Sequence, residues 1–112
     1  MTDLLSLADI AENADTGSRE LDMKVCEAVG WKGWKAVTTS VDAALSLVPD
    51  GYFLCDIHYD EVLRCYVVKL AKVGGLFSDR ISSYIKYSGI NPKFIPLAIT
   101  AASLRALAQG VL

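Results

Sequence analysis

The sequence has little of what most active sites are built from. Its 112 residues include a single histidine, His58, and three cysteines, Cys26, Cys55 and Cys65. A zinc site would need all three thiols, and their spacing lacks the paired C-x-x-C of a structural site. No metal site and no cofactor are expected. An odd number of widely spaced thiols also argues against a disulfide framework, so three reduced and mostly buried thiols are expected. No apolar run reaches the ~20 residues that cross a bilayer. Asp3, Asp9 and Glu12 interrupt the start of the chain, where a secretory signal would be basic and then apolar. A cytoplasmic protein with no membrane partner is expected. Neither sign of charge dominates, since eleven basic and thirteen acidic residues leave a net charge of −2. Duplex nucleic acid binding usually leaves a basic footprint, and a DNA mimic needs dense acidic runs. The sequence has neither.

Apolar residues are abundant instead. They make up 53% of the chain against 21% charged, with a mean hydropathy of +0.34. A chain of this length forms one domain, residues 1–112, and buries roughly two-thirds of the surface its unfolded form exposes. Apolar content beyond that need implies an unusually rich core or a surface that meets a partner.

Helical spacing marks a first helix over residues 3–12, with Leu4, Leu7, Ala8 and Ala11 as its stripe, Leu5 widening it, and Thr2 or Asp3 as its cap. A second helix starts after Ser18, carries Glu20 and Asp22 at its positive end, and buries Leu21, Val25, Ala28 and Val29 before Gly30 stops it. Trp31 and Trp34, set among Lys32, Gly33 and Lys35, suit either a base-stacking platform or closure of the core; core closure is the simpler expectation. Thr39 then caps a third helix, with Asp42 reaching back to it and Val41, Ala44, Leu45 and Val48 facing inward, until Pro49 ends it.

Residues 52–57 and 63–70 alternate as a β-hairpin. Pairing Cys55 with Cys65 sets Phe53 against Val67, Ile57 against Leu63, Asp56 against Arg64 and Leu54 against Tyr66, with the turn near Tyr59, Asp60 and Glu61. Gly74 and Gly75 break the sheet, and Ile81 to Tyr87 alternate as a third strand. Pro96 opens a last helix with Leu97, Ala101, Leu104 and Ala108 on one face and Arg105 and Gln109 among its few polar residues. A helix this apolar is either sandwiched or in contact with another subunit. The order of elements is α+β, an antiparallel sheet of about three strands with helices.

Three segments carry a resemblance: S-R-E-L-D from Ser18 followed by A-V-G-W from Ala28, the block T-T-S-V-D-A-A-L-S-L-V-P-D-G-Y ending at Tyr52, and P-L-A-I from Pro96 followed by A-A-S-L-R-A from Ala101. Together they resemble the phage ABA sandwich domain family, small phage proteins with no known activity. The resemblance covers about half the chain. It implies phage origin, residence in the host cell, and helices on both faces of the sheet. Ile95, where a capping Thr often precedes the proline, and the long aromatic stretch from Gly74 to Ile95 depart from the family pattern.

Two clusters could carry chemistry. His58 with Asp56, Asp60 and Glu61 has the residue types of an acid–base pair, but no nucleophile or oxyanion donors accompany it, and alternating polar residues are normal on the outward face of a strand. No catalytic residue is expected, and the chain reads as a non-enzyme. Phe77, Arg80, Tyr84, Lys86, Tyr87 and Lys93 interleave rings with cations, as a site for a small nucleotide or an acidic loop would, or as a charged edge strand does. The leading expectation is an accessory protein that works by binding, as a homo-oligomer or on a host or phage protein. The alternative is a binder or sponge for a nucleotide signal, countering host defence.

Overall fold

The computed structural model describes residues 3–31, 33, 35–75, 80–85, 89 and 91–110. Four helices and three strands follow in the order α1 (Leu4–Asn13), α2 (Arg19–Ala28), α3 (Val41–Leu45), β1 (Tyr52–Asp60), β2 (Cys65–Lys72), β3 (Ile81–Ile85) and α4 (Ile95–Gly110). The sheet is antiparallel, in the order β1-β2-β3. The α+β class and the three-stranded sheet therefore match expectation.

Side-chain oxygens start the helices by accepting the exposed N–H groups of the first turn. Asp3 accepts from Leu5 in α1, Ser18 from Leu21 in α2, and Ser40 from Ala43 in α3. The last is a correction, because Thr39 had been expected to cap α3. With Ser40 as cap, Asp42 moves to the second helical position and Val41 and Leu45 turn outward. Ala44 keeps its expected place in the core and Leu47 joins it, with Val48 packed against the same core. Gly30 follows α2 with φ +81°, the left-handed stop its position implied. A 3-10 turn at Pro92–Phe94, capped by Asn91, leads directly into α4, so Pro96 sits one residue inside the helix start.

α4 is buried nearly all round: Leu97, Ala98, Ile99, Thr100, Ala101, Ala102, Ser103 and Leu104 are each inaccessible. It packs on β2 and β3 on one side and on α1 and α3 on the others. Its apolar surface is thus used within the chain, which decides between the two readings of such a helix. Leu7, Ala8, Leu21, Val25, Val68, Leu70, Ile81 and Ile85 join it in a single core.

The hairpin register differs from expectation. Phe53 pairs with Ala71 and Leu54 with Leu70, then Asp56 with Lys69, Ile57 with Val68, His58 with Val67 and Asp60 with Cys65. Cys55 is the extra residue of a β-bulge, so it does not face Cys65. The turn is shorter than expected, running over residues 61–64 between Asp60 and Cys65 rather than over 58–62 between Ile57 and Leu63. Asp60 accepts hydrogen bonds from the N–H groups of Val62 and Leu63, and Arg64 adopts φ +57° to bring the chain back. These contacts carry β1 to Asp60 and delay β2 to Cys65.

Candidate functional site

Alternation along the strands assigns each side chain to a face. Tyr52, Leu54, Ile57, Val68, Leu70, Ile81 and Ile85 face the helices. Phe53, Asp56, His58 and Asp60 of β1, Cys65, Val67, Lys69 and Ala71 of β2, and Ser82 and Tyr84 of β3 share the opposite face. Among the described residues, no helix is seen to pack there; the helices share the one core on the other side.

On this face the central strand is buried and the flanking strands are half-exposed. Cys65, Val67 and Ala71 of the central strand are buried, while Phe53 and Tyr84 remain 49% and 42% exposed. Three cross-strand rows give it chemical character: Phe53 beside Ala71, Asp56–Lys69–Ser82, and His58–Val67–Tyr84. Within the second and third rows, Asp56 Oδ2 lies 2.7 Å from His58 Nδ1. The bulge creates this set, because one extra residue at Cys55 is what places Phe53 on the same face as Asp56 and His58.

His58 and Asp56 do pair, as their spacing suggested, but the other groups of that cluster have different work. Asp60 is committed to the hairpin turn. Cys65, on the same face, is a poor nucleophile: burial pushes its thiol up, and the negative charges of Asp60 and Glu12 add to the shift. Neither the cleft beside Arg105 nor the one beside Lys24 is lined by the pair, and among the described residues no group of three or more His, Cys, Asp and Glu could hold a metal.

The aromatic–cationic strip is dispersed. Phe77, Lys86 and Tyr87 lie outside the described residues. Tyr84 stands on the open face, whereas Lys93 sits at the start of α4 with its ammonium 5.3 Å from the Phe94 ring centre. Arg80 is exposed and lines a cleft of about 520 Å³ with Leu5, Ile81, Ser82, Arg105, Ala108 and Gln109. Of the two tryptophans, Trp31 packs against the core with Lys35 Nζ 4.7 Å from its ring centre. Trp34 lies outside the described residues.

Sequence reasoning missed the polar network beside that cleft. Glu12, buried on α1, accepts from the Ser83 hydroxyl (2.8 Å), the Tyr84 N–H (2.9 Å) and both terminal nitrogens of Arg105. Arg105 also donates to Asp9 at 2.8 Å. Burial alone would raise the Glu12 carboxyl, but donation from Arg105, Tyr84 and Ser83 outweighs it and holds the group below its ordinary value. The hydrogen bond to Glu12 raises Arg105 in turn, against the effect of burial. The network ties α1 to α4 and satisfies a backbone donor of the edge strand β3. Arg105 on the cleft wall already serves two carboxylates, Asp9 and Glu12. An i, i+3 acidic pair on α1 was the available signal, but its partner is 93 residues away.

No known protein family, curated protein or solved structure matches this chain. The phage resemblance rests on the three quoted segments. Their residues have structural roles: Ser18 and Ser40 cap helices, Gly51 turns with φ +88°, and Asp22 holds Thr38. No helix among the described residues is long and apolar enough to cross a membrane.

Proposed function

We propose that the chain is a non-enzymatic accessory protein, of phage origin as the resemblance implies, that acts by binding another protein chain through the exposed side chains on this face of its sheet. The observation that carries this reading is a pair of half-exposed rings, Phe53 and Tyr84, on the sheet face that also carries Asp56, His58 and Lys69. Aromatic side chains ringed by polar groups are typical of protein interfaces. The apolar last helix, the original reason to expect assembly, is enclosed by its own chain and leaves this face as the better surface. Its charges disfavour a nucleotide or single-stranded nucleic acid, since on this face of the described strands Asp56 and Asp60 stand against Lys69. A nucleotide signal is therefore the lesser reading, and a thermal-shift panel tests it: ligand at 100 times its Kd adds about 2.7 kcal/mol to stability.

His58 makes the main reading testable at one site, because it is the only histidine of the chain. Diethylpyrocarbonate labels it, and mass spectrometry reads the rate. Labelling should be fast in dilute purified protein and severalfold slower in an extract of the producing cells, at equal free reagent. Equal rates in both would overturn the proposed surface.

A further inference from the structure

We propose that the partner is a second copy of the chain, joined edge to edge through β1 so that the three-stranded sheets of both copies run on as one. This inference rests on the reading of the exposed side chains of β1 as a binding surface and names their occupant. A strand at the end of a sheet presents unpaired backbone groups, and proteins guard such edges with lysine, proline, bulges or covering segments. The two edges of this sheet differ in that respect. At β3, Glu12 accepts the Tyr84 N–H (2.9 Å), and Ile81, Ser83 and Ile85 are buried. At β1 no residue is buried, and among the described residues β2 is its one extensive neighbour. β1 carries neither lysine nor proline. Its bulge at Cys55 guards the first half and leaves Asp56 to Asp60 as regular strand.

Backbone direction and charge together select one register. The Asp60 carbonyl accepts from the Arg64 N–H across the turn (2.7 Å), so it points toward β2. Direction alternates along a strand, so the backbone groups of Asp56 and His58 also point inward and those of Ile57 and Tyr59 point outward. A twofold interface must be complementary to itself. With the axis through Ile57, the two copies of that residue exchange both N–H···O bonds. Each Asp56 then stands directly opposite His58 of the partner subunit, in the closer kind of antiparallel pair. Both side chains are 40% exposed, and the bond from Asp56 engages Nδ1 of its own His58, so Nε2 is the ring nitrogen for the opposite carboxylate. Ile57, partly buried against the core, is covered further by its counterpart. An axis through His58 would instead set Asp56 against Asp60, and like charges directly opposite destabilise a ladder. An axis through Tyr59 would leave Ile57 opposite Glu61, beyond the end of the strand.

Charge exchange tests the pairing. His58→Glu sets acid against acid, and Asp56→Lys leaves His58 facing an ammonium. Each variant should dimerise at least about tenfold more weakly than the parent in analytical ultracentrifugation over roughly 1 μM to 1 mM, the span in which a contact below standard size dissociates. An equimolar mixture of the two restores one native contact and adds an acid–cation one, so native mass spectrometry should show the heterodimer in excess of either homodimer. Circular dichroism melting of each variant checks that the monomer is folded. Amide exchange reads the ladder itself: the Ile57 N–H of the parent should exchange severalfold more slowly at the top of that concentration range than at the bottom. A parent that stays monomeric throughout overturns the inference, as does a dimer that both variants leave unchanged or one in which Ile57 exchange does not slow. Labelling of His58 keeps the two readings apart. Slow labelling in extract beside a monomeric parent upholds the surface and rejects its pairing with itself, whereas equal rates beside a monomeric parent reject both.

Discussion

At the scale of single residues, the tightest point is where the chain passes between α1 and α2. A Cβ added at Gly17 would lie 2.2 Å from the Thr38 carbonyl oxygen, so only glycine fits. Beside it, the buried Asp22 carboxylate accepts both the N–H of Thr38 (2.7 Å) and its hydroxyl (2.6 Å), and the Ser18 N–H donates back to that hydroxyl (3.0 Å). Gly17→Ala must displace backbone and should cost about 2–3 kcal/mol, the range of core overpacking. Thr38→Val leaves Asp22 short of a donor and the Ser18 N–H short of an acceptor, for about 1–3 kcal/mol. Urea denaturation measures both; a loss under 0.5 kcal/mol in either, on the scale of ordinary surface substitutions at roughly ±0.5 kcal/mol, would contradict this account. Ser18 was legible as a cap because capping depends on local spacing. Asp22 was read as a charge at a helix start because nothing near it in sequence reveals a partner 16 residues on.

At the scale of elements, the helices were legible and the sheet register was not. The stripes of α1 and α2 arise every three or four residues and can be read from composition along one segment. A register also depends on turn length and on bulges, and both departed from the regular case. The bulge at Cys55 lets Leu54 and Ile57 face the same side, against strict alternation. Arg64 supplies the left-handed residue of the turn, a conformation usually taken by glycine or asparagine. Arg64→Gly should therefore raise stability by about 0.5–1 kcal/mol without altering the register. Thermal melting checks the gain, and amide exchange of the Ile57–Val68 pair checks the register; a destabilised variant would show that the arginine side chain matters more than its backbone. Face assignment was half legible: the bulge puts Leu54 on the face opposite Asp56, and Phe53 on the face opposite Ile57, each against expectation. Asp56, His58 and Asp60 point outward as their alternation indicated, and the open surface was half visible through them.

For the whole molecule, Glu12 links three elements and gives stability a dependence on acid. Its carboxyl titrates below its ordinary value of 4.5 in the folded chain. The stabilisation is fully present above the unfolded value and is lost as pH falls through the lower folded value. Stability should therefore decline between about pH 5 and pH 3, and Glu12→Gln should flatten that decline. At neutral pH the same substitution should cost about 2–4 kcal/mol, less than the loss of an isolated buried pair because Asp9 still holds Arg105. An unchanged acid slope in the variant would assign the pH dependence to other carboxylates. No sequence pattern announced this network, since its members come from residues 9–12, 83–84 and 105, and only the assembled fold brings them together.

The enclosure of α4 has a consequence for how the molecule is made. Two of the three earlier helices, α1 and α3, and two of the three strands lean on a segment that follows all of them along the chain. During synthesis the earlier elements emerge without the surface that organises them, so their apolar sides stay wet until residues 95–110 arrive. Maturation of the interior then becomes a late, cooperative event rather than a stepwise one, dominated by distant pairings of the kind that slow folding. Until that event, the nascent chain is a natural client for chaperones.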